Sequence, residues 1–207
     1  QKFNLGAVLP EVWEELKELI RLCVAIECEA IVLVPNNDAN DKRDSKVIMT
    51  ETITALKAFG ALFEDNGIWG YVEPLGFEEC SLRSKVNALR AIQESRCRKY
   101  KIVHDTFHHH LGPDTADTLK DNFDISAIGL VHVSGVESDM PANAYKDDHR
   151  ILITDKDKLK NLEQLKLLIK LGYKGDISFE PFAKAVQALE IETLKAAVNK
   201  SIDFITT

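Results

Sequence analysis

A chain of 207 residues, 45% apolar and 29% charged, has ordinary globular composition and is long enough to bury one sizeable core without staples. Its net charge of −7, with Lys and Arg interleaved among Asp and Glu, argues against a nucleic-acid partner. No apolar run reaches bilayer length, and Cys23, Cys28, Cys80 and Cys97 show neither CxxC spacing nor a compact framework, so a reduced, cytoplasmic protein is expected.

The start, Gln1-Lys2-Phe3-Asn4, is neither a signal peptide nor an initiator methionine. In chain order, residues 11–27 predict an amphipathic helix, with Leu16, Leu19, Ile20, Cys23 and Val24 on one stripe and Pro10 just ahead. Ala30 to Val34, closed by Pro35, suits a strand covered on both faces. A polar loop over 36–46 leads to a second helix at about 47–65, which stops at Asn66-Gly67. Ile68 to Glu73, closed by Pro74, is the next strand. A helix at about 81–95 precedes the strand Lys101 to Asp105, and a helical stretch at about 113–121 precedes Ala127 to His132. After a long polar loop at 134–150 come a helix at about 157–171, the strand Ile177 to Glu180 and a final helix at about 186–204. Alternating strands and helices imply a parallel sheet with right-handed crossovers, either open and doubly wound or closed into a barrel. No GxGxxG or GxxxxGK[ST] fingerprint supports a nucleotide-binding version.

Four of these five strands end in a side chain that can ligate a metal: Glu73, Asp105, His132 and Glu180. In parallel α/β folds the C-terminal strand ends form the ligand-binding face, so groups at equivalent points converge there. A lone strand-end carboxylate often caps the next helix, and a lone histidine often satisfies the core. Three clustered carboxylates, however, repel one another unless a cation neutralises them. Three oxygen donors and one imidazole favour Mn²⁺ or Mg²⁺, with Co²⁺ or Zn²⁺ also suited. By strand alternation His104 points the other way, between sheet and helices, as a hydrogen-bonded core residue.

The segments Val72-Glu73-Pro74-Leu75-Gly76, His104-Asp105-Thr106-Phe107-His108, Val131-His132-Val133 and Ser178-Phe179-Glu180-Pro181-Phe182 resemble the xylose-isomerase-like TIM barrels, in particular the inosose isomerase and sugar-phosphate isomerase/epimerase group. The resemblance runs from about residue 20 to 205 and implies a (β/α)8 barrel binding one divalent metal through Glu73, Asp105, His132 and Glu180. It also implies that His108, from the Asp-x-x-His element, and Arg150, from Asp147-Asp148-His149-Arg150, contact substrate oxygens. The family's Gly-x-Gly turn after that arginine is replaced here by Ile153-Thr154-Asp155-Lys156-Asp157. A full barrel of this kind takes about 250 residues. Residues 1–207 are therefore expected to be a single domain lacking its first two or three strands, with Leu5 to Leu9 as a remnant of the third. Open strand edges would favour pairing or homo-oligomerisation.

The implied chemistry is isomerisation or epimerisation of a sugar or keto-inositol by proton transfer through an enediolate. Glu73 and Glu180 would serve as base and acid on opposite sides of the substrate. His109 and His110 extend the histidine run as loop residues near the mouth, expected to touch solvent or substrate, with a second metal as the alternative. Glu79, in the loop after Glu73, is expected to be solvated, with substrate contact as the alternative. The same fold supports keto-inositol dehydratases, abasic-site endonucleases and non-catalytic metal- or sugar-binding barrels. Loss of water, cleavage of abasic DNA, or lack of turnover would distinguish these.

Overall fold

The computed structural model describes residues 2–6 and 8–207. Helix α1 (Pro10–Ala25) begins with proline, whose missing N–H is no loss in a first turn, and buries Leu16, Ile20 and Cys23. Strand β1 (Ala30–Leu33) follows. Helix α2 (Ser45–Asn66) is capped by the Asp44 carboxylate, which accepts from the N–H groups of Lys46 and Val47. It ends at Gly67, whose φ of 71° suits a residue without Cβ. Strand β2 (Trp69–Val72) pairs parallel with β1, Leu33 beside Val72.

Helix α3 (Lys85–Ser95), capped by Ser84, leads to β3 (Tyr100–Asp105). Two short helices come next, α4 (Thr106–Leu111) and α5 (Ala116–Asp121), then β4 (Ile128–Val133). Helix α6 (Asn161–Lys170), strand β5 (Ile177–Phe179) and helices α7 (Lys184–Gln187) and α8 (Ile191–Ile205) complete the chain. The sheet is wholly parallel in the order β1-β2-β3-β4-β5. Successive strands therefore lie side by side, as in a barrel, rather than in the reversed order of a doubly wound sheet. The principal core lies between the sheet and its helices, around Leu56, Phe59, Phe63, Val72, Ile102 and Val131. All four cysteines are free thiols, and no described helix is long and apolar enough to cross a membrane.

Four expectations need correction. The histidine run is the helix α4, not a loop. The stretch expected at about 157–171 becomes helical only at Asn161, and the last helix is split around Ala188. The proposed strand remnant at Leu5 to Leu9 is not a strand: its described residues make bends and irregular chain, and Ala7 lies outside them.

Candidate metal centre and substrate cavity

Four of the five strands deliver a polar group at their C-terminal ends. Asp105 closes β3 and pairs in register with His132 of β4. A register shift at Ile102/Val103 sets this match, because Ile102 faces Ile128 whereas Val103 faces Leu130, skipping Gly129. Glu73 and Glu180 lie one residue past β2 and β5. Their backbones are still held by the ladder, since the N–H of Glu73 donates to Leu33 O (3.0 Å) and that of Glu180 to Val133 O (2.9 Å). Val72 and Val131, the neighbours on the opposite face, are fully buried in the core.

The result is one cluster: ligand atoms of Glu73, Asp105, His132 and Glu180 all lie within 4.8 Å of one another. Such a trio of carboxylates requires positive charge, and two protein cations supply it here. His132 Nδ1 lies 3.0 Å from Glu73 Oε1 and 3.4 Å from Glu180 Oε2. Arg150 Nη2 donates to Asp105 Oδ2 (2.5 Å) and Glu180 Oε2 (2.6 Å). Burial works against charge on His132, but Glu180 and Glu73 outweigh it and raise the imidazole to about 10. Burial is the largest influence on the Glu73 carboxyl and pushes it up, against the pull of His132. Burial also opposes charge on Asp105, yet the adjacent Arg150 guanidinium keeps its carboxyl well below the usual range. Three carboxylates and one imidazole, drawn together and leaning on borrowed cations, are a donor set that fits a divalent ion.

Glu73, His132 and Glu180 of the cluster line a cavity of about 450 Å³, walled on its apolar side by Val32, Val34, Leu75, Phe77 and Phe182. Of the two glutamates, Glu180 is the more open, with 29% side-chain exposure against 6% for Glu73. His108 also lines it, seated edge-on against Phe77 and Phe107. Its backbone N–H donates to Asp105 Oδ1 (2.9 Å), so the same carboxylate that joins the cluster caps α4 and aims the ring. Its Nδ1 is sealed off without a partner, which leaves Nε2 facing the cavity. Burial lowers this ring to about 4, so it is neutral at physiological pH.

Arg150 reaches the cavity as well, but it is no solvated loop arginine: it is 1% exposed. Its guanidinium lies between the rings of Phe107 and Phe182, at 4.9 and 4.8 Å, and Nε donates to Ser134 Oγ (3.1 Å). Ser134 and this aromatic sandwich were not singled out from sequence, although both rings sit inside the quoted Asp-x-x-His and Glu-Pro-Phe segments. His104 is buried behind the sheet as expected, its Nε2 3.1 Å from Gln164 Oε1. His109 is buried and His110 lies away from the cluster, while Glu79 pairs with Lys146 (3.3 Å). The loop without Gly-x-Gly is stitched by Asp157, whose carboxylate accepts from the N–H groups of Val136, Leu159 and Asn161.

The profile of the xylose isomerase-like TIM barrel family matches residues 1–207. An inosose isomerase from Bacillus licheniformis is 24% identical over 199 residues, covering 95% of this chain and 69% of that protein. A xylose isomerase domain containing protein from Salmonella typhimurium LT2 superposes with a TM-score of 0.90 at 36% identity, covering 99% of this chain and 72% of that one. The IOLI protein, whose crystal structure holds a zinc atom, superposes with a TM-score of 0.85 at 20% identity, covering 94% and 69%.

Proposed function

The chain belongs to the xylose isomerase-like TIM barrel family, and from that premise we propose that it is a divalent-metal-dependent isomerase or epimerase of a sugar or keto-inositol. The observation that carries the reading is the convergence of Glu73, Asp105, His132 and Glu180 within 4.8 Å, with Glu73, His132 and Glu180 lining a cavity. The kinship with inosose isomerase supports the reaction class, and the zinc atom in the IOLI protein supports a metal on this fold. Mn²⁺ or Mg²⁺ suits the oxygen-rich donor set, and Zn²⁺ or Co²⁺ is compatible with the imidazole. When bound, the cation supplies electrostatic stabilisation to charge developing on substrate oxygens.

The protein's own groups divide the remaining work. Glu180, the more open carboxylate, removes the proton from the carbon beside the carbonyl. Glu73, whose carboxyl burial pushes up, is suited to hold a proton on the other side, and the roles exchange with direction. The neutral His108 offers Nε2 to a substrate oxygen. Arg150 shares its donors between the carboxylates and the substrate. The apolar wall of Val32, Leu75 and Phe77 faces the C–H side of the ring and excludes water from the reacting carbon.

Glu180→Gln tests the assignment. Exchange of the substrate's α-hydrogen in deuterated water, followed by NMR with inosose as first substrate, should fall by about 10²–10⁴-fold while the circular dichroism spectrum is retained. Undiminished exchange in a folded variant removes Glu180 from the mechanism.

A further inference from the structure

Outside the cavity lining, a lysine is buried with no ion-pair partner among the described residues. Lys85 is the first residue of α3 and is 2% exposed. Its Nζ makes one polar contact among the described residues, donating to Nδ1 of His109 at 3.4 Å. An ammonium has no acceptor, so His109 must carry its own hydrogen on Nε2. The nearby Asp114 is spent on the chain: Oδ1 accepts from the Ser84 hydroxyl (2.8 Å) and Oδ2 from the Lys85 backbone N–H (2.5 Å). The positive end of the α3 dipole makes this a poor place for a cation.

No carboxylate is within ion-pair distance of Nζ among the described residues. The rings of His104 and His109 are 4.8 Å apart, and burial keeps both neutral. His104 Nε2 is committed to Gln164. Burial pulls the Lys85 ammonium down only to about 8, because Asp114, Asp105 and Glu73 act on it through space, so it is mostly charged at neutral pH. Two of those three carboxylates belong to the cluster. His109, which the ammonium holds, lies on α4, whose first turn Asp105 caps.

We propose that Lys85 is a positioning residue for the metal centre: a fixed positive charge, tied through His109 to the helix that Asp105 caps, which moderates the cluster's grip on a divalent cation. This rests on the metal reading of the four donors given above. Three carboxylates more than neutralise the charge of a bound divalent ion and so weaken it as an electrophile. A buried cation acting on them through space restores part of that positive potential. A non-polar residue would fill the same space without desolvating a charge.

The test is calorimetric titration of Mn²⁺ at pH 7 into the wild type, Lys85→Met and Lys85→Arg, with the melting temperature of each. Loss of the ammonium helps a doubly charged metal more than a singly charged competing proton. Lys85→Met should therefore bind Mn²⁺ at least fivefold more tightly and melt no lower than the wild type. Lys85→Arg, which retains the charge, should stay within twofold of wild-type affinity. A merely structural lysine predicts equal or weaker binding in Lys85→Met, and that result overturns the proposal. Should the Met variant not fold, Lys85→Gln, which still donates to His109 without charge, carries the same expectation. Failure of Mn²⁺ to bind the wild type sinks the metal reading and this inference with it. Wild-type binding with an unmoved Kd in the variants sinks this inference alone.

Discussion

Arg150 spends one guanidinium on three carboxylates and a serine while pressed between two phenylalanine rings. Its burial makes it part of the cluster's charge balance as well as a donor at the cavity. Deleting one partner of a buried ion pair leaves the other uncompensated, and such losses run to about 3–5 kcal/mol. Arg150→Met should lose stability on that scale in metal-free urea titrations. Saturating Mn²⁺ should restore more stability to the variant than it adds to the wild type, because the ion neutralises the same carboxylates. Equal metal stabilisation of both proteins would show that Arg150 does not serve the cluster. From sequence, Arg150 stood out only through its resemblance to the family's loop arginine. Nothing local marks Ser134, Phe107 or Phe182 as its partners.

At the level of elements, α4 is the instructive one. Asp105-Thr106-Phe107-His108-His109-His110 has no amphipathic period long enough to reveal a helix of six residues. The helix forms because the Asp105 carboxylate caps it and because the loop after β2 closes on it. Gly76 lies in that loop, where an added Cβ would meet the His108 carbonyl at 2.4 Å and the Leu111 Cβ at 2.6 Å. Because the obstruction includes backbone, Gly76→Ala should displace α4, costing about 1–3 kcal/mol. His108 would move with it, so a rise in KM larger than the loss in kcat is expected in steady-state kinetics. An unchanged KM in the folded variant would mean that His108 does not hold the substrate.

Across the whole molecule, residues 2–6 are tied to the sheet by a buried polar network. Asn4 donates to Thr52 Oγ1 and Ser81 Oγ (both 3.0 Å) and accepts from the Asn36 N–H (2.9 Å). Arg43 bridges the Asn4 carbonyl (2.7 Å), Glu51 and Asp41. The Arg43 guanidinium, helped by Asn36, holds the Asp41 carboxyl well below the usual carboxylate range. A carboxyl depressed by folding stabilises the native state above its unfolded value near 3.9 and loses that stabilisation as the pH falls toward the folded value. Asp41→Asn should thus be about 1 kcal/mol less stable than the wild type at pH 7. The gap should close between about pH 5 and 2. Urea midpoints across that range check it, and a gap that stays constant with pH refutes it.

Strand periodicity, proline stops and glycine caps are local, so the five strands, the main helices and the strand-end positions of Glu73, Asp105, His132 and Glu180 could be read along the chain. Four ligating side chains at like positions also forecast their convergence, because parallel strands turn sequence spacing into a common rim. Strand order could not be read that way, since barrel and doubly wound sheets share one βα rhythm and differ only in which strands touch. The partners of Arg150, the helical state of the histidine run and the burial of Lys85 were likewise beyond reach. The contacts of Arg150 with Ser134 and Asp105 and of Lys85 with His109 join side chains 16 to 45 residues apart, and only folding sets the distance, solvent exclusion and charge between such groups.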